Sequence, residues 1–424
     1  MKLKELRRLI ENGALSAYQN LYSDLEAQRE RFLSTIDSFA EMYGSDRDIM
    51  ILSVPGRSEI CGNHTDHNRG CVIAGAIDRD IIAVTSRRDD GTVKLTSKGY
   101  YESTLSLSEV CDPTRFEHFK SRSLIAGVIA DFINRGYGVG GFDAYTDSDV
   151  LKGSGLSSSA AFEVMVGNIL NYLYNDGKID NKELAKSAKY AENVYFGKPC
   201  GLMDQMAAAV GGFVYIDFEN EKDPEVKSID FSLDGAGYSL CIIGTGGSHS
   251  ELNDEFAAIP SEMKAVATAL GCEVLREADR EKFLKQIPAL REKLGDRAVL
   301  RAMHFFNEND RVKEMAAALE AADTDAFVRV VKSSGVSSAT YLQNVFTPRS
   351  IQEQGITLAL CLADGFLKEK KAAFRVHGGG FAGTAQVFIP KDIKEEFATY
   401  MDSVFGEGAT MTLNIRPLGA VKLF

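Results

Sequence analysis

The sequence predicts a two-domain chain in which helices are combined with strands of a mixed sheet, and three observations carry that expectation. The chain has 424 residues, 45% of them hydrophobic, and single hydrophobic cores rarely grow past about 250–300 residues. Short strand-like runs alternate with longer stretches of helical periodicity. Near residue 235 the pattern of a strand followed by helices begins again. The expected divisions are a helical N-terminal extension over residues 1–45, a first domain over 46–230 and a second over 231–424.

Within the extension, Leu25, Phe32, Ile36 and Phe39 share one helical side, and Ser23 and Glu26 have the spacing of a capping box. A strand is expected over residues 49–54, ended by Pro55 and followed by a polar loop. Further strands are expected over 71–77, 80–85, 92–96 and 142–147, with a helix over 123–134. A helix over 181–196 is opened by Asp180 with Glu183 three residues on. A short helix beginning near Asp204 lies between Gly201 and Gly212. The second half reads as a strand over 239–244, long helices to about 370, a glycine hairpin around 378–383 and a closing strand near 410–415.

A formal net charge of −12 and the lack of any Lys/Arg-rich block argue against nucleic acid or an anionic membrane as the main partner. The seven cysteines form no CxxC pair, which fits a reducing compartment better than a disulfide framework. The N-terminus has no signal-peptide pattern, and apolar runs such as 71–77 are too short to span a bilayer. The expectation is a cytoplasmic protein, monomeric by default.

Residues 152–161, KGSGLSSSAA, are the most informative ten in the chain. Glycines allow backbone N–H groups to approach an anion, and the serines add hydroxyl donors. Ala161, Met165, Ile169, Leu170 and Leu173 follow at helical spacing, so a helix N-terminus would point at the same anion. A phosphate fits such a cradle.

Other stretches hold polar chemistry but each has a plainer reading. Residues 55–70, PGRSEICGNHTDHNRG, gather Arg57, Asn63, His64, Asp66, His67 and Arg69; fixed donors and acceptors there suit a hydroxyl-rich ligand, or simply a polar turn. The spacing of its histidines and Asp66 matches no familiar metal site. Asp204 is either an N-cap or a carboxylate that orients a hydroxyl beside an arginine. Glu192 is either a solvated carboxylate or a magnesium ligand. Residues 377–383, HGGGFAG, contain GxGxxG but lead into a strand, so they make no dinucleotide fingerprint. No GxxxxGK[ST] occurs, which excludes a P-loop kinase.

The order PGRSEICGNHTDHNRG, KGSGLSSSAA, AENVYFGKPCGLMDQ and HGGGFAG resembles the GHMP kinase superfamily, and within it most closely the galactokinase family, over roughly residues 50–415. The resemblance implies an α+β, two-domain GHMP kinase fold with mixed sheets and the active site in the interdomain cleft. It implies an ATP- and Mg²⁺-dependent sugar 1-kinase that phosphorylates the anomeric hydroxyl of galactose. Asp204 and Arg57 would be catalytic, Asn63, His64, Asp66 and Gly201 would hold the sugar, and Gly153, Gly155, Leu156, Ser157 and Ser158 would hold ATP. Ser159 and Glu192 would bind magnesium.

The chain departs from the family pattern at Asn63, where glutamate is usual, at His67, where tyrosine is usual, at Arg69 and Leu151, and at Phe256 with Ile259 and Pro260. Loss of a carboxylate at position 63 together with Arg69 favours an anionic sugar, so galacturonate competes with galactose. N-acetylgalactosamine, a non-catalytic sugar sensor, and a mevalonate or homoserine kinase are the remaining alternatives.

Overall fold

The computed structural model describes residues 1–150, 155–198, 200–247 and 252–424. In chain order the strands are β1 (Met50–Cys61), β2 (Cys71–Arg88), β3 (Thr92–Ser97), β4 (Ser103–Ser106), β5 (Gly141–Ser148), β6 (Phe213–Asp217) and β7 (Glu225–Ile229). They continue with β8 (Tyr238–Gly244), β9 (Ala373–Val376), β10 (Thr384–Pro390), β11 (Thr410–Leu413) and β12 (Val421–Lys422). An eight-stranded sheet runs β12-β1-β2-β5-β3-β4, with β6 and β7 branching from β2, and a four-stranded sheet runs β11-β8-β10-β9. The first sheet is mixed because β3 and β5 pair in parallel while its other pairs are antiparallel. β12 returns from the chain's end to pair with β1 at Leu52 and Ser53.

Residues alternate between two faces of a strand, and the two cores of the first sheet follow that period. Ile82 and Val84 of β2 pack with Leu6, Phe32, Ile36 and Phe39 of the N-terminal helices Leu3–Glu11 and Leu25–Tyr43. Ile81 and Ala83, one residue off, face the main core with Val164 and Leu170 of the helix Ser158–Tyr174. Because both faces are covered, residues 50–54 of β1 and 71–77 and 81–84 of β2 are largely apolar. The same alternation splits β8, with Leu240 and Ile242 in the main core. Cys241 and Ile243 lie instead under the helices Gly355–Leu367 and Lys394–Phe405.

Several boundaries differ from expectation. Pro55 does not end β1; it lies beside a register shift between Pro55 and Arg57, where a missing N–H is tolerated, and the strand continues to Cys61. The runs 71–77 and 80–85 are one strand that changes neighbour from β6 to β5 along its length. The cap of helix Leu25–Tyr43 is Asp24, not Ser23, and its carboxylate accepts from Glu26 N and Ala27 N. Asp180 caps its helix as expected, but that helix ends at Tyr190 and passes into a wider π turn, Ala191–Phe196. Among the described residues the seven cysteines are all free thiols, and no helix is long and apolar enough to cross a membrane.

Phe32 is fully buried against the outer face of the first sheet. Phe32→Ala is expected to lower stability by about 3–5 kcal/mol, read as a fall in the urea midpoint. An unchanged midpoint would mean that the N-terminal helices add little to the fold.

Candidate active site

Four stretches that are distant in sequence converge where the two sheets meet. β1 supplies Arg57 and Glu59, the chain after β1 supplies Asn63 to Arg69, the start of helix Ser158–Tyr174 supplies serines, and the turn between β9 and β10 supplies HGGGFAG. Of the eight non-glycine residues with left-handed backbone among the described residues, four lie in these stretches: His64 (φ 59°), Arg69 (56°), Ser157 (57°) and Phe381 (62°). Such conformations cost of order 1–3 kcal/mol and persist where surrounding contacts impose them, which is frequent at functional loops.

At the centre, Arg57 meets Asp204 with two hydrogen bonds, Nε to Oδ1 at 2.7 Å and Nη2 to Oδ2 at 2.8 Å. Arg57 Nη1 also donates to the Gly155 carbonyl, and Ser157 Oγ donates to Asp204 Oδ2. Asp204 lies in the first turn of helix Met203–Val210, whose N-cap is Leu202, so the carboxylate is turned to Arg57 and does not cap. Burial raises the pKa of Asp204, but the charge and hydrogen bonds of Arg57, with Ser157 and Lys198, outweigh it and hold the group below the ordinary carboxylate value. Asp204 is therefore ionised at neutral pH.

His377 packs beneath this pair, 3.1 Å from Ser58 Oγ through Nε2 and 3.0 Å from Thr384 Oγ1 through Nδ1. Burial, then the Arg57 and Arg375 charges, push its pKa down to about 3, so a neutral imidazole adjoins the cationic arginine. Gly155 approaches the same ring: a Cβ there would lie 3.2 Å from His377 Nδ1, and its φ of +72° favours glycine.

On the opposite side, His64 Nε2 lies 2.9 Å from the Gly379 carbonyl, and burial lowers its pKa to about 4. Asn63 donates to both oxygens of Glu59 (3.1 and 3.2 Å) and to Gly378 O at 2.8 Å, while its Oδ1 accepts from Asn344 at 2.8 Å. Asp66 faces Gly201 so closely that a Cβ on the glycine would sit 2.3 Å from Asp66 Oδ2. The helix Asp296–Glu320 fixes the loop through its backbone. Glu308 accepts from Gly62 N at 3.1 Å, His304 Nε2 lies 2.9 Å from Asn63 O, and Asn309 accepts from Cys71 N at 2.7 Å.

Residues 123–212 match the GHMP kinases N terminal domain, and residues 37–87 match the galactokinase galactose-binding signature. A galactokinase of Streptomyces coelicolor is 32% identical over 355 residues, covering 83% of this chain and 87% of that protein. This chain belongs to the galactokinase family. The fold agrees: Lactococcus lactis galactokinase complexed with galactose matches with a TM-score of 0.77 at 23% identity, over 92% of this chain and 100% of that one. Methanococcus jannaschii mevalonate kinase matches with a TM-score of 0.60 at 14% identity, over 87% and 98%. As a galactokinase-family member the chain is a sugar kinase, transferring phosphate to a hydroxyl.

The remaining residues implied by the galactokinase resemblance are distributed as follows. Gly153 and Leu151 lie outside the described residues. Ser158 and Ser159 border a cavity of about 610 Å³ whose other walls include Tyr100, Phe119, Phe162 and Phe196. Glu192, in the π turn, is buried; its oxygens accept from Lys198 Nζ at 2.9 Å and Gln205 Nε2 at 2.8 Å. Gln205 also donates to buried Glu163 at 3.3 Å, whose Oε1 has no hydrogen-bond partner among the described residues.

Three of the departures from the galactokinase pattern have identifiable neighbours. Arg69 is held by Glu277 (2.8 Å) and Glu273 (3.0 Å), so its charge is already matched. The carboxylate missing at Asn63 is present four residues earlier in Glu59, against Asn63 and Arg375. Phe256 packs edge-on against Phe381 and touches Gly379. Sequence reading gave no role to His377, Glu59, Glu308 and Glu163; of these Glu163 carried a signal, an ionisable side chain inside the apolar run 160–167.

The depressed pKa of Asp204 has a stability consequence with a definite sign. Its stabilising contribution is complete above the ordinary value of 3.8 and is lost as pH falls through the lower folded value. The stability difference between the native protein and Asp204→Asn should stay constant down to about pH 5 and shrink below about pH 4. A difference that disappears nearer neutrality would show that Asp204 is not held ionised by Arg57.

Proposed function

We propose that this protein transfers the γ-phosphoryl group of ATP to the anomeric hydroxyl of galactose. The observation that carries this reading is the two-pronged Arg57–Asp204 pair next to Ser157. It lies between the serine-bordered cavity and the His64–Asp66 loop. The cavity, lined by aromatic rings and closed by Ser158 and Ser159, suits an adenine nucleotide with its phosphates at the N-terminus of helix Ser158–Tyr174.

In the proposed reaction the anomeric oxygen attacks the γ-phosphorus, the bond to the bridging oxygen breaks, and ADP leaves. The hydroxyl proton passes to Asp204. An ionised carboxylate with a lowered pKa is a weak base, so Asp204 chiefly orients the hydroxyl and takes the proton late, as a loose phosphoryl-transfer transition state permits. Arg57 keeps Asp204 charged and adds positive potential where charge spreads over the phosphoryl oxygens. His64, Asp66 and Gly201 border the side of the site assigned to the sugar, with Asn63 shaping it from behind through Glu59 and Gly378.

Ser159 and Glu192 would hold Mg²⁺. Their oxygen-only chemistry fits a hard cation that keeps waters and phosphates as its other ligands, and the partnerless Glu163 oxygen beside Glu192 adds to the fit. When bound, the ion would neutralise phosphate charge. Lys198 meanwhile balances Glu192.

Galactose is favoured over galacturonate because Arg69 is matched by two glutamates and so offers no unmatched charge to a sugar carboxylate. With Mg·ATP and galactose, galacturonate and N-acetylgalactosamine supplied in parallel, galactose should turn over fastest. Asp204→Asn should lower kcat by about 10²–10⁴-fold. Preferred turnover of galacturonate would overturn the substrate assignment, and sugar binding with only background ATP hydrolysis would indicate a sensor. Gly201→Ala should raise the galactose KM with little change in the ATP KM, because the added methyl displaces Asp66. Equal changes in both would argue against a sugar-side role for that contact.

A further inference from the structure

The helix Leu25–Tyr43 covers the face of the first sheet remote from the helix Ser158–Tyr174, yet one of its side chains reaches the wall of the serine-bordered cavity. Arg31, almost buried, sends Nη1 to Asp80 Oδ1 at 2.8 Å and to Asp149 Oδ2 at 2.9 Å. Its Nη2 donates to the backbone carbonyls of Asp80 (3.0 Å) and Asp147 (2.8 Å), and its Nε is 3.8 Å from Asp147 Oδ1. Gln28, one turn earlier, donates to Asp149 Oδ2 at 3.1 Å.

One guanidinium thus gathers three carboxylates around the adjoining parts of β2 and β5. Arg416 shares Asp80 at 3.2 Å and Lys98 shares Asp147 at 2.7 Å. For Asp149, Arg31 is the cationic partner among the described residues. Asp147, Ser148 and Val150 belong to the same cavity wall as Ser158 and Ser159. In sequence, Asp149 and Val150 stand just before the stretch 152–161 expected to hold phosphate.

We propose that Arg31 is a positioning residue for the nucleotide, acting through Asp147 and Asp149, an inference that rests on reading this cavity as the ATP site. Two effects act together. The hydrogen bond to Asp147 O fixes the end of β5 that forms part of the cavity wall. The guanidinium also cancels carboxylate charge that, weakly screened by its surroundings, would repel a triphosphate. The N-terminal helices are then part of the kinase site as well as a cover for the sheet.

The test is calorimetric titration of the full chain with a non-hydrolysable Mg·ATP analogue, with adenosine and with galactose. Arg31→Met is expected to raise the dissociation constant of the analogue about tenfold, while adenosine and galactose bind as before. Adding Asp149→Asn should restore the electrostatic part of the loss. Equal weakening of all three ligands, no weakening, or no recovery with Asp149→Asn would overturn the proposal. If Arg31→Met does not fold, Gln28→Leu decides: a smaller loss confined to the analogue supports the proposal, and unchanged binding overturns it. Failure of the native protein to bind the analogue at all would refute the ATP reading of the cavity itself, and this inference with it.

Discussion

The ion pair between Arg57 and Asp204 joins residues 147 positions apart and brings the remaining parts of the site into register. Arg57 stands on β1, paired with Ala76 of β2 just past a register shift, and its N–H donates to the Leu156 carbonyl at 3.1 Å. From that position one guanidinium holds a helix-borne carboxylate with two prongs and the Gly155 carbonyl with a third nitrogen. Two-pronged contact fixes angle as well as distance, which a lysine at position 57 could not do. Gly155 and the Asp204 carboxylate are therefore held by the same side chain.

Around that pair lies a polar interior that an apolar core could not replace without releasing the loop it holds. Glu59, Arg375, Glu308 and Arg311 are linked in close ion pairs, two negative and two positive. Removing charges from water is costly unless they are paired and hydrogen-bonded, and here Glu308 accepts from Gly62 N while Arg375 donates to Ile60 O. The return is specificity of conformation. A loop containing left-handed His64 and Arg69 is held in one shape by helix Asp296–Glu320 and by the glycine turn between β9 and β10.

Much of this was legible in the sequence because local chemistry and tertiary role agreed. The helical spacing that follows Ala161 matches the helix Ser158–Tyr174, and the polar loop 62–70 was evident from its composition. Pro55 misled, since its effect on a strand depends on register, which is a long-range property. Two strands were read where β2 is one, because polar Asp78 and Asp80 interrupt its apolar run yet find partners in Asn414, Arg31 and Arg416. The role of Arg69 depended on Glu273 and Glu277, more than 200 positions away. No spacing rule connects such pairs.

The most direct test of the central claim follows the atoms. Galactose labelled with ¹⁸O at the anomeric hydroxyl and ¹³C at C1 is incubated with the protein and Mg·ATP, and the products are read by phosphorus and carbon NMR. The account requires a sugar 1-phosphate with coupling between phosphorus and C1 and with ¹⁸O retained in the bridging position, and it requires this product to be absent with Asp204→Asn. Phosphate on another hydroxyl, loss of the label from the bridge, or undiminished product from the variant would contradict it.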